Sequence, residues 1–256
     1  MNVETLQEKY TCSECGTTVK PFHRFCHSCG DYLGDDAEHI NIFNNTNLQG
    51  AFFFFIIYLF ICLIIKFTNW FDSYDRLFWV EILLAVITIL YAKVNWANIK
   101  PLLRFNNFKP LIIIAVITLA VSFSLLVNVL VTQLNVSVYR HDTEPMYNFY
   151  RIYTTPILIM IYSIAVMPAL FEELAFRGVM YNYLNIILDE KMVVVVTAFA
   201  FGMLHLSFIS LVWLIPFGIL LAQMRRKYQT IWYGIIFHFT FNLVACLYDL
   251  HKQGLL

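Results

Sequence analysis

Charge is what this sequence has least of. Asp, Glu, Lys and Arg supply 13% of its 256 residues, against about 25% in an ordinary soluble protein. Apolar residues make up 60% and aromatics 17%, which excludes a normal water-facing surface and calls for long membrane-spanning runs. The 17 basic residues balance the 17 acidic ones, a tally that says little about partners because topology distributes the charges; no nucleic-acid partner is expected. No secretory leader is expected either, since the first apolar run begins at Ala51, too late for a basic n-region followed by an h-region. The chain also lacks an HExxH motif, an internal repeat, and any low-complexity segment beyond Phe52–Phe55, which reads as lipid-facing.

Four of the six cysteines are paired: Cys12-x-x-Cys15 and Cys26-x-x-Cys29, each followed by a glycine, Gly16 and Gly30. Two such knuckles supply the full tetrahedral thiolate set of a structural Zn²⁺, and the glycines permit the tight turns behind them. A module over 1–32 is too small to build a sufficient apolar core, so a metal would supply most of its folding free energy. Disulfides belong to oxidising compartments, and nothing here is exported ahead of the first span. The arrangement resembles the short zinc ribbons at the N-termini of many bacterial membrane proteins. His23 and His27 read as bystanders, and Cys62 and Cys246 as packing residues within apolar runs. Residues 33–49, acidic and Asn-rich, read as a linker.

Six apolar runs follow: Ala51–Ile65, Leu77–Ala92, Leu111–Val131, Ile152–Leu188, Met192–Met224 and Ile231–Leu247. At ~1.5 Å per residue, the run from 192 to 224 reaches ~50 Å, longer than a ~30 Å hydrocarbon core, so it must fold back near Ser207–Ser210. The run from 152 to 188 is also too long for one straight span, and Pro156 and Pro168 offer places to break it. The segment Lys93–Lys109 holds four basic residues and no acid, which marks it cytoplasmic, as does Arg225-Arg226-Lys227. The expected fold is therefore an all-α polytopic membrane protein of about seven to eight transmembrane helices, with seven preferred. The N-terminus is cytoplasmic, and residues 50–149 form the first helices.

Charged side chains at bilayer depth cost at least ~2.5–3.5 kcal/mol each on insertion scales and are usually functional. Glu172, Glu173 and Arg177 all fall inside one apolar run. Glu173 and Arg177 are i,i+4 neighbours with the acid first, the favourable order for a brace. Glu172 points ~100° away and has no local partner, so it reads as the working group. His205 ends one span, and His238 and Asn242 share a helix face at i,i+4. Counted from the flanking charges, Glu172, His205 and His238 lie at ~25, ~21 and ~16 Å depth, near enough to meet. Peptide hydrolysis needs a base for water and donors for the oxyanion. A Glu with two His is equally a donor set for catalytic Zn²⁺, although the three come from three helices; the glutamate mechanism is preferred.

Glu172-Glu173-x-x-x-Arg177, Phe201-x-x-x-His205 and His238-x-x-x-Asn242, in this order, resemble the three motifs of the CPBP intramembrane proteases, which include type II CAAX prenyl endopeptidases and bacterial Abi proteins. The resemblance covers about residues 150–250. It implies that Glu172 and His205 activate water, that His238 and Asn242 stabilise the oxyanion, and that no cofactor is required for catalysis. In the bacterial plasma membrane that such an N-terminal zinc knuckle suggests, it further implies a peptide or membrane-protein precursor as substrate, with bacteriocin self-immunity or peptide maturation as the context. Two other classes compete. One is a non-catalytic scaffold that binds a protein partner through the zinc ribbon. The other is a transporter, against which stands the absence of paired broken helices in two matching halves.

Overall fold

A computed structural model describes residues 10–20, 23–33, 43–104, 109–140 and 144–256. The chain divides into two compact units, 1–49 and 50–256. Most of the expected linker, residues 34–42, lies outside the described residues.

In the first unit the strands β1 (Tyr10–Thr11) and β2 (Thr18–Val19) pair antiparallel. The two knuckles repeat one another. Gly16 donates to the Cys12 carbonyl and Gly30 to the Cys26 carbonyl, at 2.9 and 2.8 Å. Both glycines have left-handed φ, +67° and +77°, which a residue with a Cβ adopts at a cost. Among the described residues of this unit, Cys12, Val19 and Cys26 make the buried core, with Leu33 against it. A core of that size cannot offset chain entropy unaided.

The second unit is all helical, because backbone polar groups inside hydrocarbon must be satisfied within their own segment. Its helices are α1 (Thr46–Phe67), which starts in the last residues of the first unit, where the Asn45 side chain caps the Asn47 and Leu48 N–H groups, α2 (Tyr74–Val94), the single turn α3 (Trp96–Ile99), α4 (Pro110–Tyr139), the short α5 (Met146–Tyr150), α6 (Pro156–Asn185), α7 (Glu190–Leu204), α8 (Leu211–Tyr228) and α9 (Trp232–Lys252). The starts of α4 and α6 carry Pro110 and Pro156, where the missing N–H costs nothing. Asp249 reaches from α9 to accept the Met146 and Tyr147 N–H groups that open α5.

Among the described residues five helices, α1, α2, α4, α6 and α9, are long and apolar enough to cross a membrane. The chain is thus an integral, polytopic helical protein, with fewer full-length spans than the seven to eight read from the sequence. The difference lies in α7 and α8. The run 192–224 does fold back at 205–210 as an antiparallel pair, but α7 has only 15 residues, about 22 Å. Helix α8 ends in Arg225, Arg226 and Lys227. With these charges and Glu190 at the base, the tip at His205 stops short of a ~30 Å core.

Helix α6 differs from expectation too: it runs unbroken through Pro168. The turn before the proline is π-type, with the Met167 N–H bonded to Tyr162, and a second wide turn covers Leu174–Met180. These turns absorb the proline without a break. Helix α9 packs along α4 and against α6 and α8. Of its spanning stretch 44% is buried, against 17% for α1, so α9 and α6 form the interior while α1, α2 and α4 present their flanks outward. Ser124 of α4 donates to the Phe241 carbonyl of α9 at 2.8 Å, the kind of polar cross-link that membrane bundles use.

Candidate active site

Adjacent in α6, Glu172 and Glu173 enter different environments. Glu173 is fully buried. Its Oε1 accepts from Arg177 Nη1 at 3.0 Å and lies 3.1 Å from His238 Nδ1. Arg177 also donates to the Gly218 carbonyl at 3.1 Å and stacks 4.8 Å over the Phe201 ring. Space for the carboxylate comes from Gly234 of α9, where an added Cβ would lie 2.7 Å from Glu173 Oε2. That Oε2 and Arg177 Nε have no partner among the described residues.

Glu172 is about one-third exposed, and its Oε2 stands 3.9 Å from His238 Nε2. The sequence reading left Glu172 without a partner; packing of α9 on α6 supplies one that local spacing does not reveal. His238 bridges the two carboxylates, an Nδ1–H donating to Glu173 and Nε2 turned toward Glu172. A carboxylate on Nδ1 orients the ring and fixes its tautomer.

His205 ends α7, with Nδ1 3.3 Å from the Phe201 carbonyl. Glu172, His205, His238 and Asn242 all line one cleft of about 270 Å³. No hydrogen bond joins Glu172 to His205 among the described residues. Asn242 donates from Nδ2 to the Ile164 carbonyl at 2.8 Å. Ile164 is four residues before Pro168, the residue whose missing N–H would otherwise serve it. The reading in which His238 and Asn242 both aim at an oxyanion therefore has a competitor: each already has one donor engaged with the protein.

Arg225, read as a loop charge, is instead buried. It donates to the Arg177 carbonyl at 3.2 Å and to Asn182 Oδ1 at 3.1 Å, serving a carbonyl at the wide turn of α6. A further acidic residue escaped the sequence reading. Glu81 of α2 accepts from the Ser163 hydroxyl, which in turn accepts from Tyr150 at 3.2 Å. The signal was present: Glu81 is the sole charged residue in the run from 77 to 92.

The four knuckle sulfurs lie within 4.8 Å of one another, with Cys12–Cys29 and Cys15–Cys26 at 3.6 and 3.5 Å and no disulfide. Tetrahedral Zn–S bonds of about 2.3 Å require edges of ~3.8 Å, so the donor set fits a metal. Hydrogen bonding with Thr17 holds the Cys15 thiol down to about 6. The Cys29 thiol, against the lowering influence of the Asp31 backbone, is pushed up to about 12 by its hydrogen bond with Cys15. Four thiolates so close need a cation between them. Among the described residues this is the one cluster of three or more metal-type ligands.

A scan against protein-family models matches residues 154–244 to Rce1-like, described as Type II CAAX prenyl endopeptidase Rce1-like. No curated protein and no solved structure matched in the other two comparisons. The stretch 154–244 of this integral membrane protein, which holds Glu172, His205, His238 and Asn242, is thus similar to the Rce1-like family.

Proposed function

We propose that the protein is a glutamate-dependent intramembrane endopeptidase acting on a peptide or membrane-protein precursor. The observation that carries this reading is the single cleft lined by Glu172, His205, His238 and Asn242 within the Rce1-like stretch. Glu172 is the group free to take a proton from water, because Glu173 is committed to Arg177 and His238. His205, at the open end of α7, shares the water. His238, held through its Nδ1–H by Glu173, polarises the scissile carbonyl as the doubly protonated ring, whose Nε2–H is then a donor beside Glu172, and Asn242 positions the cleft wall through Ile164 while its second amide hydrogen faces the oxyanion. A water-poor cleft makes each such interaction stronger than it would be in bulk solvent.

Zn²⁺ in the Cys12, Cys15, Cys26, Cys29 module is proposed as structural and separate from the chemistry; it would knit the two knuckles together. The module's role is to hold a protein partner. A bacterial plasma membrane with a cytoplasmic N-terminus is the proposed setting, and bacteriocin self-immunity or peptide maturation rests on the motif resemblance alone. Because α7 and α8 form a hairpin that dips and returns, Lys191 and Arg226 end on the same side, which agrees with a cytoplasmic Arg225–Lys227 turn.

Purified protein in lipid nanodiscs, offered a quenched-fluorescent peptide library, tests the reading. Wild type cleaves, while Glu172→Gln and His205→Ala lose at least ~10²-fold, the usual weight of a general base. Equal cleavage by Glu172→Gln would overturn it.

A further inference from the structure

A second cavity of about 290 Å³ opens beside the cleft. The two share Pro168, Glu172, Phe201 and His205, so a chain lying against Glu172 has this cavity as its neighbour. Its walls are mostly apolar, among them Leu84, Phe171, Phe176 and Leu204, and Glu81 is set into them. The cavity is lined by two carboxylates, Glu81 and Glu172, one imidazole, His205, and neither lysine nor arginine.

Glu81 is held and half used. Tyr150 and Ser163 form a relay ending on Oε1, which fixes the carboxyl orientation. Oε2 is shielded from solvent and has no hydrogen-bond partner among the described residues. A buried carboxyl oxygen without a partner is costly, the more so when charged, so its retention points to a ligand that supplies the donor. A cavity of this volume falls just below the ~300–1,000 Å³ typical of ligand sites, right for one side chain. Long basic side chains bury an apolar stem and place a charged head at its end, matching apolar walls with an acid among them.

We infer that the Glu81 cavity is a specificity pocket that takes a lysine or arginine side chain of the substrate next to the bond presented to Glu172. The inference rests on the endopeptidase reading for its location. Glu81 forms a charge-assisted hydrogen bond with the basic head, and no covalent step involves it.

Cys62 lines the same cavity and reports occupancy without turnover. The full-length protein in nanodiscs is alkylated with N-ethylmaleimide in the presence of pentylguanidinium or pentanol, and Cys62 modification is followed by peptide mass. Pentylguanidinium protects Cys62 in wild type. Its half-protecting concentration rises about tenfold in Glu81→Gln, the weight of one charge-assisted bond, and less in Glu81→Asp, which keeps the charge. Both variants must melt within a few degrees of wild type, and the Gln variant retains an acceptor for Ser163. Pentanol protecting as well as pentylguanidinium, or undiminished protection in Glu81→Gln, overturns the inference. A protein that binds the probe through Glu81 yet cleaves no peptide counts against the endopeptidase reading alone. In the library assay, the basic preference appears as a lower KM for peptides with Lys or Arg beside the cut, lost in Glu81→Gln.

Discussion

Replacing Gly234 by alanine should destabilise this protein, against the usual rule. In a helix interior Gly→Ala gains about 1 kcal/mol, since glycine is the poorer helix former. At Gly234 the new Cβ would sit 2.7 Å from Glu173 Oε2 and must reach at least 3.4 Å for ordinary contact. The carboxylate therefore has to retreat by about 0.7 Å. It cannot do so freely, because its Oε1 is held by Arg177 at 3.0 Å and His238 at 3.1 Å. Hydrogen bonds to charged groups are worth ~1.5–3 kcal/mol each. Losing or stretching one of them outweighs the helix gain and leaves a net cost of ~0.5–2 kcal/mol. The assay is thermal unfolding in detergent, with Glu173→Ala as a second background. Once the carboxylate is gone, Gly234→Ala should become neutral or stabilising, a sign change that a double-mutant cycle reads directly. A higher melting temperature for Gly234→Ala in the wild-type background would refute the reasoning.

Asn242→Ala should lower the melting temperature as well as the rate, because the Ile164 carbonyl loses its 2.8 Å donor, at a cost of ~1–3 kcal/mol; unchanged stability would confine Asn242 to the chemistry. Metal analysis of the purified full-length protein should give one zinc per chain, lost in Cys15→Ser while peptide cleavage persists; zinc-independent folding of the 10–33 region would contradict the thiol geometry. A cysteine at position 226 should resist membrane-impermeant labelling from outside intact cells and react after lysis; outside labelling would reverse the proposed topology.

How much was legible in the sequence depended on whether the signal was local. The Glu173–Arg177 pair follows from i,i+4 spacing, and it is present at 3.0 Å. The knuckle geometry follows from CxxC and glycine, and the backbone repeats it twice. That the run 192–224 folds back followed from its length, and the turn expected at Ser207–Ser210 falls between the helix ends at Leu204 and Leu211. What spacing could not provide was the meeting of distant helices. His238 serves both carboxylates only because α9 packs on α6 through Gly234. Pro168 looked like a break, but wide turns and the Asn242 amide compensate for its missing donor. Arg225 looked like a topology charge, yet it is consumed by the Arg177 carbonyl. Glu81 was visible as a lone acid in an apolar run, but its relation to Ser163 and Glu172 exists only in three dimensions.

The most direct measurement compares the membrane and secreted peptidomes of cells carrying wild type, Glu172→Gln or Glu173→Gln, with the abundance of each variant recorded. Glu172→Gln keeps shape and leaves the Glu173–Arg177–His238 cluster intact, so it should accumulate to wild-type levels while the wild-type cleavage products disappear. Glu173→Gln breaks a buried pair, at a cost of ~3–5 kcal/mol, and should lower abundance and products together. Products undiminished by Glu172→Gln, or lost with a fully abundant Glu173→Gln, would contradict the assignment of Glu172 as the base.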